Sequence, residues 1–145
     1  EATQNIADAM GIGASVQLPG ILSHAEVAKE MTRSTAFVQH SIVPSMGPSK
    51  GDHEGTPVAI LESLVSGVPV ISTRHAGIPE VVQDQVTGIL VDERDTAAMA
   101  AAMLRLASEP DLVKSMGEAA KADAASKFTS DIYLEKLKGI LSSIE

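Results

Sequence analysis

The 145-residue chain is 44% apolar but only 2% aromatic, and it contains no cysteine. That suits one domain with a core of Ala, Val, Ile, Leu and Met, and it excludes disulfide frameworks, Cys–zinc sites and thiol nucleophiles. A net charge of −8 with so few aromatics argues against a surface that binds nucleic-acid backbones or stacks bases, although a few backbone N–H groups can still hold a small anion.

Residues 2–10 read as a short helix stopped at Gly11 or Gly13. "ASVQLPG" (14–20) reads as a strand ending in Pro-Gly. In "SHAEVAKEMTRS" (23–34), Ser23 followed by Glu26 is the capping-box pattern of a helix start. "AFVQHS" (36–41) is a second strand. A long loop, "IVPSMGPSKGDHEG" (42–55), follows it, and a loop of that length inside a compact domain is usually functional or mobile. "PVAILESLVS" (57–66) is a helix with Thr56 at its N-cap, Pro57 in its first position and Gly67 just past its end. "VPVIST" (68–73) and "TGILVD" (87–92) are strands, separated by a helical turn at 77–83. Three helices complete the chain, at 95–108, 110–126 (broken or frayed near Gly117) and 130–144. Near-continuous apolar strands alternating with helices indicate an α/β fold with a Rossmann-like parallel sheet covered on both faces. No apolar run approaches the roughly 20 residues of a spanning helix.

In such sheets ligands bind at the carboxyl ends of the strands, which directs attention to the loop at 42–55 and the helix after it. Gly55, Thr56 and Pro57 form a helix start whose unpaired N–H groups and dipole suit a phosphate; an ordinary capped helix start is the alternative. Glu62 interrupts an apolar helix about 8 Å beyond that start. It either accepts hydrogen bonds from two adjacent sugar hydroxyls or simply faces solvent beside Ser63 and Ser66. Glu54 could accept hydrogen bonds from a polyhydroxylated ligand or stabilise a developing cation, or it could be a solvated loop acid. "DHE" (52–54) lacks the spacing of a metal site, and His24, His40 and His75 are scattered. No metal and no cofactor are expected.

Taken together, "HEGTPVAILESLVSGVPVISTRHAGIPEVVQDQVTGILV" (53–91) resembles the carboxyl-terminal donor-binding domain of retaining GT-B glycosyltransferases, the glycosyl transferases group 1 family. The family pattern is Glu, seven residues, Glu, then Gly-x-Pro-Val, a Gly-x-Pro-Glu turn and a Thr-Gly strand. Here these are Glu54 and Glu62; Gly67, Pro69 and Val70; Gly77, Pro79 and Glu80; Thr87 and Gly88. The resemblance implies a transferase that moves a hexose from a UDP- or GDP-linked donor to a glycan or other acceptor with retention. It places Glu54 near the donor sugar as the catalytic acid group, backbone around Gly55, Thr56 and Pro57 at the diphosphate, and Glu62 on the ribose. The loop "PSKGDHEGTP" is similar to members acting in polysaccharide and cell-surface glycan biosynthesis.

The family's opening strand, helix and strand, with their basic phosphate clamp, are not found in the sequence. The chain therefore reads as a single incomplete donor-binding domain over 1–145, with a sheet region at 1–94 and a helical tail at 95–145. The amino-terminal "EATQNIADAM", without an initiating Met, reads as a cut edge. The expected consequences are no transferase activity in the isolated piece, weak donor binding, and acceptor contacts through a missing amino-terminal domain. Self-association through an exposed sheet edge is expected too. No nucleic-acid partner is expected. The expected location is cytoplasmic, with peripheral attachment at the inner membrane face in a longer protein. The competing readings are a GT-B sugar-nucleotide epimerase fragment and a non-catalytic α/β binding module.

Overall fold

The computed structural model describes residues 2–43 and 55–128. In chain order these form α1 (Ala2–Ala9), a 3-10 turn (Gly13–Ser15), α2 (His24–Arg33), β1 (Phe37–Gln39), α3 (Val58–Ser66), β2 (Val70–Thr73), α4 (Ile78–Val81), β3 (Gly88–Val91), α5 (Thr96–Ser108) and α6 (Pro110–Lys127). The strands form one parallel sheet in the order β1–β2–β3, with Phe37 opposite Val70 and Val70 opposite Gly88. Each crossover carries a helix, α3 first and α4 second, as parallel neighbours require.

The alternation of strand side chains divides the core into two layers. Val70 and Leu90 point to one face, where they meet Ile60 and Leu64 of α3, Ile78 and Val81 of α4, and Ala120 and Ala124 of α6. Ile71, Ile89 and Val91 point to the other, against Met99, Ala102 and Leu106 of α5 and Met116 of α6. The sheet is therefore covered on both sides, which is why β2 and β3 are buried at every position, Ser72 and Thr73 at the end of β2 included.

Several sequence expectations are met in detail. Ser23 caps α2, its hydroxyl accepting from the Glu26 N–H while the Glu26 carboxylate accepts from the Ser23 N–H at 2.8 Å. The Ser23 hydroxyl also donates to the Glu26 carboxylate at 2.7 Å, and this bond first, then the one from the Ser23 N–H, holds the Glu26 carboxyl below its ordinary value. Gly67 ends α3 in the left-handed conformation, at φ 74°.

Others are corrected. Residues 14–20 are not a strand: after the 3-10 turn the chain is irregular and largely exposed, and Gly20 at φ 74° turns it toward α2. Val16 and Leu18 alternate correctly, but a strand needs a neighbour to exchange hydrogen bonds with, and among the described residues these have none. α6 runs unbroken through Gly117, because there the helix passes directly against the backbone of Gly67. The predicted helix at 130–144 lies outside the described residues. Among the described residues no helix is long and apolar enough to cross a membrane.

Candidate functional site

α3 leaves the carboxyl edge of the sheet, so its amino-terminal end faces the place where ligands bind in this architecture. Pro57 immediately precedes the first helical residue, with φ −62° and ψ 130°, and its carbonyl accepts from the Ile60 N–H at 3.0 Å. The helix thus starts one residue later than expected, and among the described residues no side chain caps it. Thr56 has a different task. Its Oγ1 sits where a side chain on Gly77 would be: a Cβ at Gly77 would come within 2.5 Å of it. The Gly-x-Pro-Glu turn and the head of α3 therefore touch through Thr56, and Gly77 is what permits that approach. Gly55, just before, is exposed, and a side chain there would meet nothing.

Glu62 does not lie in a buried setting. α3 buries only Ile60, Ser63 and Leu64, while Val58, Glu62 and Val65 share an exposed stripe. Ser63 is not part of a polar stripe with Glu62; it is fully buried and donates to the Val68 carbonyl at 2.9 Å. Glu62 opens instead into a groove between α3 and α2, a cavity of about 180 Å³ lined by His24, Ala28, Met31, Val65 and Ser66 among others. The groove is mostly apolar, with Glu62 as its carboxylate and His24 at the start of α2. The structure thus brings Thr56, Pro57 and Gly77 together and sets Glu62 about 8 Å along the helix from them. Glu54 lies outside the described residues.

A further set of residues at this edge was not singled out by sequence. β1 ends at Gln39, and no strand pairs with the segment that follows among the described residues. Side chains take up its backbone groups instead. Ser72 Oγ donates to the Gln39 carbonyl at 2.7 Å, and Thr73 Oγ1 donates to the Ser41 carbonyl. The Val43 N–H donates to Glu93 Oε2 at 2.9 Å, and Arg94 Nη2 donates to the Val43 carbonyl at 2.7 Å. The Arg94 N–H reaches His40 Nε2 at 3.0 Å. The other oxygen of Glu93 is 2.8 Å from Nδ1 of His75, whose side chain is buried. The His75 contact, then the Val43 bond, hold the Glu93 carboxyl below its ordinary value. A signal for this pair was available. Thr73 lies opposite Val91, so residues two further along each strand, His75 and Glu93, are also neighbours.

The family model for glycosyl transferases group 1 matches residues 1–123. The chain belongs to this family. It is 34% identical over 129 residues to the amylovoran biosynthesis glycosyltransferase AmsK of Erwinia amylovora, covering 89% of this chain and 31% of that protein. It is 32% identical over 130 residues to the putative colanic acid biosynthesis glycosyltransferase WcaL of Salmonella typhimurium, with the same coverage. The chain thus spans about a third of the length of these relatives. Among solved structures, HepE of Anabaena in complex with UDP-glucose superposes with a TM-score of 0.81 at 18% identity, covering 98% of this chain and 36% of that one. At that identity the match shows the fold, a GT-B carboxyl-terminal α/β domain.

Proposed function

We propose that this chain is the nucleotide-sugar side of a retaining hexosyltransferase acting in extracellular polysaccharide assembly. The observation that carries it is the arrangement around α3: its free amino-terminal end sits at the carboxyl edge of a parallel sheet, and one carboxylate, Glu62, opens into the groove behind. A nucleotide diphosphate sugar fits that order of groups. Backbone N–H groups around Gly55, Thr56 and Pro57 take the diphosphate, where the helix dipole offsets its charge. Glu62 accepts hydrogen bonds from the two ribose hydroxyls, and the base lies toward the start of α2. The family resemblance assigns Glu54 to the sugar, where a carboxylate stabilises positive charge developing at the anomeric carbon as the diphosphate leaves. The reading includes no metal and no cofactor.

The polysaccharide assignment rests on the AmsK and WcaL relatives, whose names carry amylovoran and colanic acid biosynthesis. HepE, the solved structure in complex with UDP-glucose, makes UDP the first nucleotide to test. The acceptor belongs to a partner domain of the longer protein, and that protein works at the cytoplasmic side.

Titration of the protein with UDP and GDP, followed by calorimetry, tests this reading. One of the two binds with a dissociation constant on the order of 0.1–1 mM, and Glu62→Gln weakens it about tenfold by removing a charged acceptor of hydrogen bonds. No heat with either nucleotide at millimolar concentration overturns it. Equal affinity in Glu62→Gln removes Glu62 from the site.

A further inference from the structure

His75 and Glu93 lie at the same sheet edge and have no part in the donor contacts above. Three features set them apart. First, both oxygens of the Glu93 carboxylate are engaged by separate segments: Oε1 by the His75 ring at 2.8 Å and Oε2 by the Val43 N–H at 2.9 Å. One side chain thus joins the exit of β1, the turn after β2 and the segment after β3. Second, the residues next to the pair are in left-handed backbone although neither is glycine: Ala76 at φ 45° and Arg94 at φ 66°. Such conformations persist where the surroundings over-determine them, and they gather at functional sites. Arg94 is held on both sides, by its N–H to His40 and its guanidinium to Val43. Third, Ala76 leads directly into Gly77, which touches Thr56 at the head of α3. A hydrogen bond between a buried ring and a carboxylate adds little net stability, but it fixes the geometry of the groups that it joins.

We propose that His75 and Glu93 are positioning residues for the donor site: the pair fixes the β1 exit at Val43 and the Ala76–Gly77 turn, and through Thr56 the placement of the α3 amino-terminal end. The proposal deepens the donor-site reading and rests on it for its functional consequence. The carboxylate can only accept hydrogen bonds, so His75 carries a proton on Nδ1. Loss of the pair lets the turn and the β1 exit move independently, and the backbone groups that meet a diphosphate lose their common frame.

The test uses the 145-residue protein, labelled with nitrogen-15, and UDP and GDP as probes. In the wild type the His75 ring shows the Nδ1–H tautomer signature. In Glu93→Gln the signature changes, amide exchange at Val43 and Gly77 accelerates about tenfold, and nucleotide affinity falls by a similar factor. His75→Asn, whose amide N–H can reach Glu93 from about the Nδ1 position, keeps affinity within about twofold, whereas His75→Leu behaves like Glu93→Gln. Unchanged exchange at Val43 and Gly77 in Glu93→Gln overturns the proposal. So does faster exchange with undiminished affinity, or equal behaviour of the Asn and Leu variants. If the wild type binds neither nucleotide, the donor-site reading falls separately. The exchange rates of Glu93→Gln then decide the positioning role alone: faster rates support it and unchanged rates overturn it.

Discussion

The two edges of the sheet are built in opposite ways. At the amino-terminal edge, distant segments meet by doing without side chains. Gly67 ends α3 and Gly117 lies inside α6, and a Cβ on Gly117 would run into the Gly67 carbonyl. At the carboxyl edge, distant segments meet through side chains that reach for backbone. Ser72, Thr73, Glu93 and Arg94 all bond to the exit of β1. The first edge is close packing and admits one solution. The second is a frame of directional bonds, which fixes backbone positions. A ligand needs fixed polar groups, and it fits that the donor contacts are proposed at the second edge.

Gly117→Val tests the packed edge and carries the largest expected effect. α6 must move off α3, and both core layers lose contacts, since α6 contributes Met116 to one and Ala120 and Ala124 to the other. The cost is about 3 kcal/mol, a large share of the roughly 5–15 kcal/mol available to a small domain. Urea unfolding measures it. A loss below about 0.5 kcal/mol would show that the edge tolerates side chains, and the contrast between the edges would disappear.

A smaller effect is expected where packing and polar frame meet. Gly77→Ala places a methyl against Thr56 Oγ1, and the half-buried Thr56 can shift, so the expected loss is about 1–2 kcal/mol. Thr56→Ala removes the obstacle. A double-mutant cycle should therefore show a favourable coupling of about 1 kcal/mol between the two changes. Strict additivity would mean that the turn and the head of α3 are independent, and the proposed route from His75 to α3 would have no physical link.

What could be read from sequence follows the same division. The capping box at Ser23 and Glu26, the glycine after α3 and the β-branched and apolar residues of β2 and β3 are local signals, and each led to the correct element. Failures came where the answer depends on what lies across space. Val16 and Leu18 have strand alternation but no neighbouring strand among the described residues. Gly117 looked like a helix breaker and is a point of contact. Glu62 was left open between a sugar ligand and a solvent-facing residue, because apolar flanking residues do not say which face is covered; Val58 and Val65 beside it are exposed. The helix start at Gly55–Pro57 was found, but Thr56 was assigned to its cap when its partner is Gly77, twenty-one residues later in the chain. His75 and Glu93 were missed because neither is notable alone. Their relation appears only once β2 and β3 are set in register, where the 18-residue offset from Thr73 to Val91 also takes His75 to Glu93.

The smallest expected effect separates the polar frame from the packed edge by its response to acid. The carboxyl of Glu93 is held below its ordinary value by His75 and the Val43 N–H, with a further contribution from the charge of Arg94. The folded protein therefore binds that proton less readily than the unfolded chain does. The resulting stability is fully present above the ordinary carboxylate value and is lost as pH falls through the lower value of the folded state. Glu93→Gln has no such carboxyl. Its melting temperature should lie below that of the wild type at neutral pH, and the gap should narrow as pH falls through the carboxylate range. Gly117→Val carries no titrating change at that edge, and its gap should stay nearly constant over the same range. If the two gaps respond alike, Glu93 contributes shape and not charge, and the carboxyl edge is held as the amino-terminal edge is, by packing.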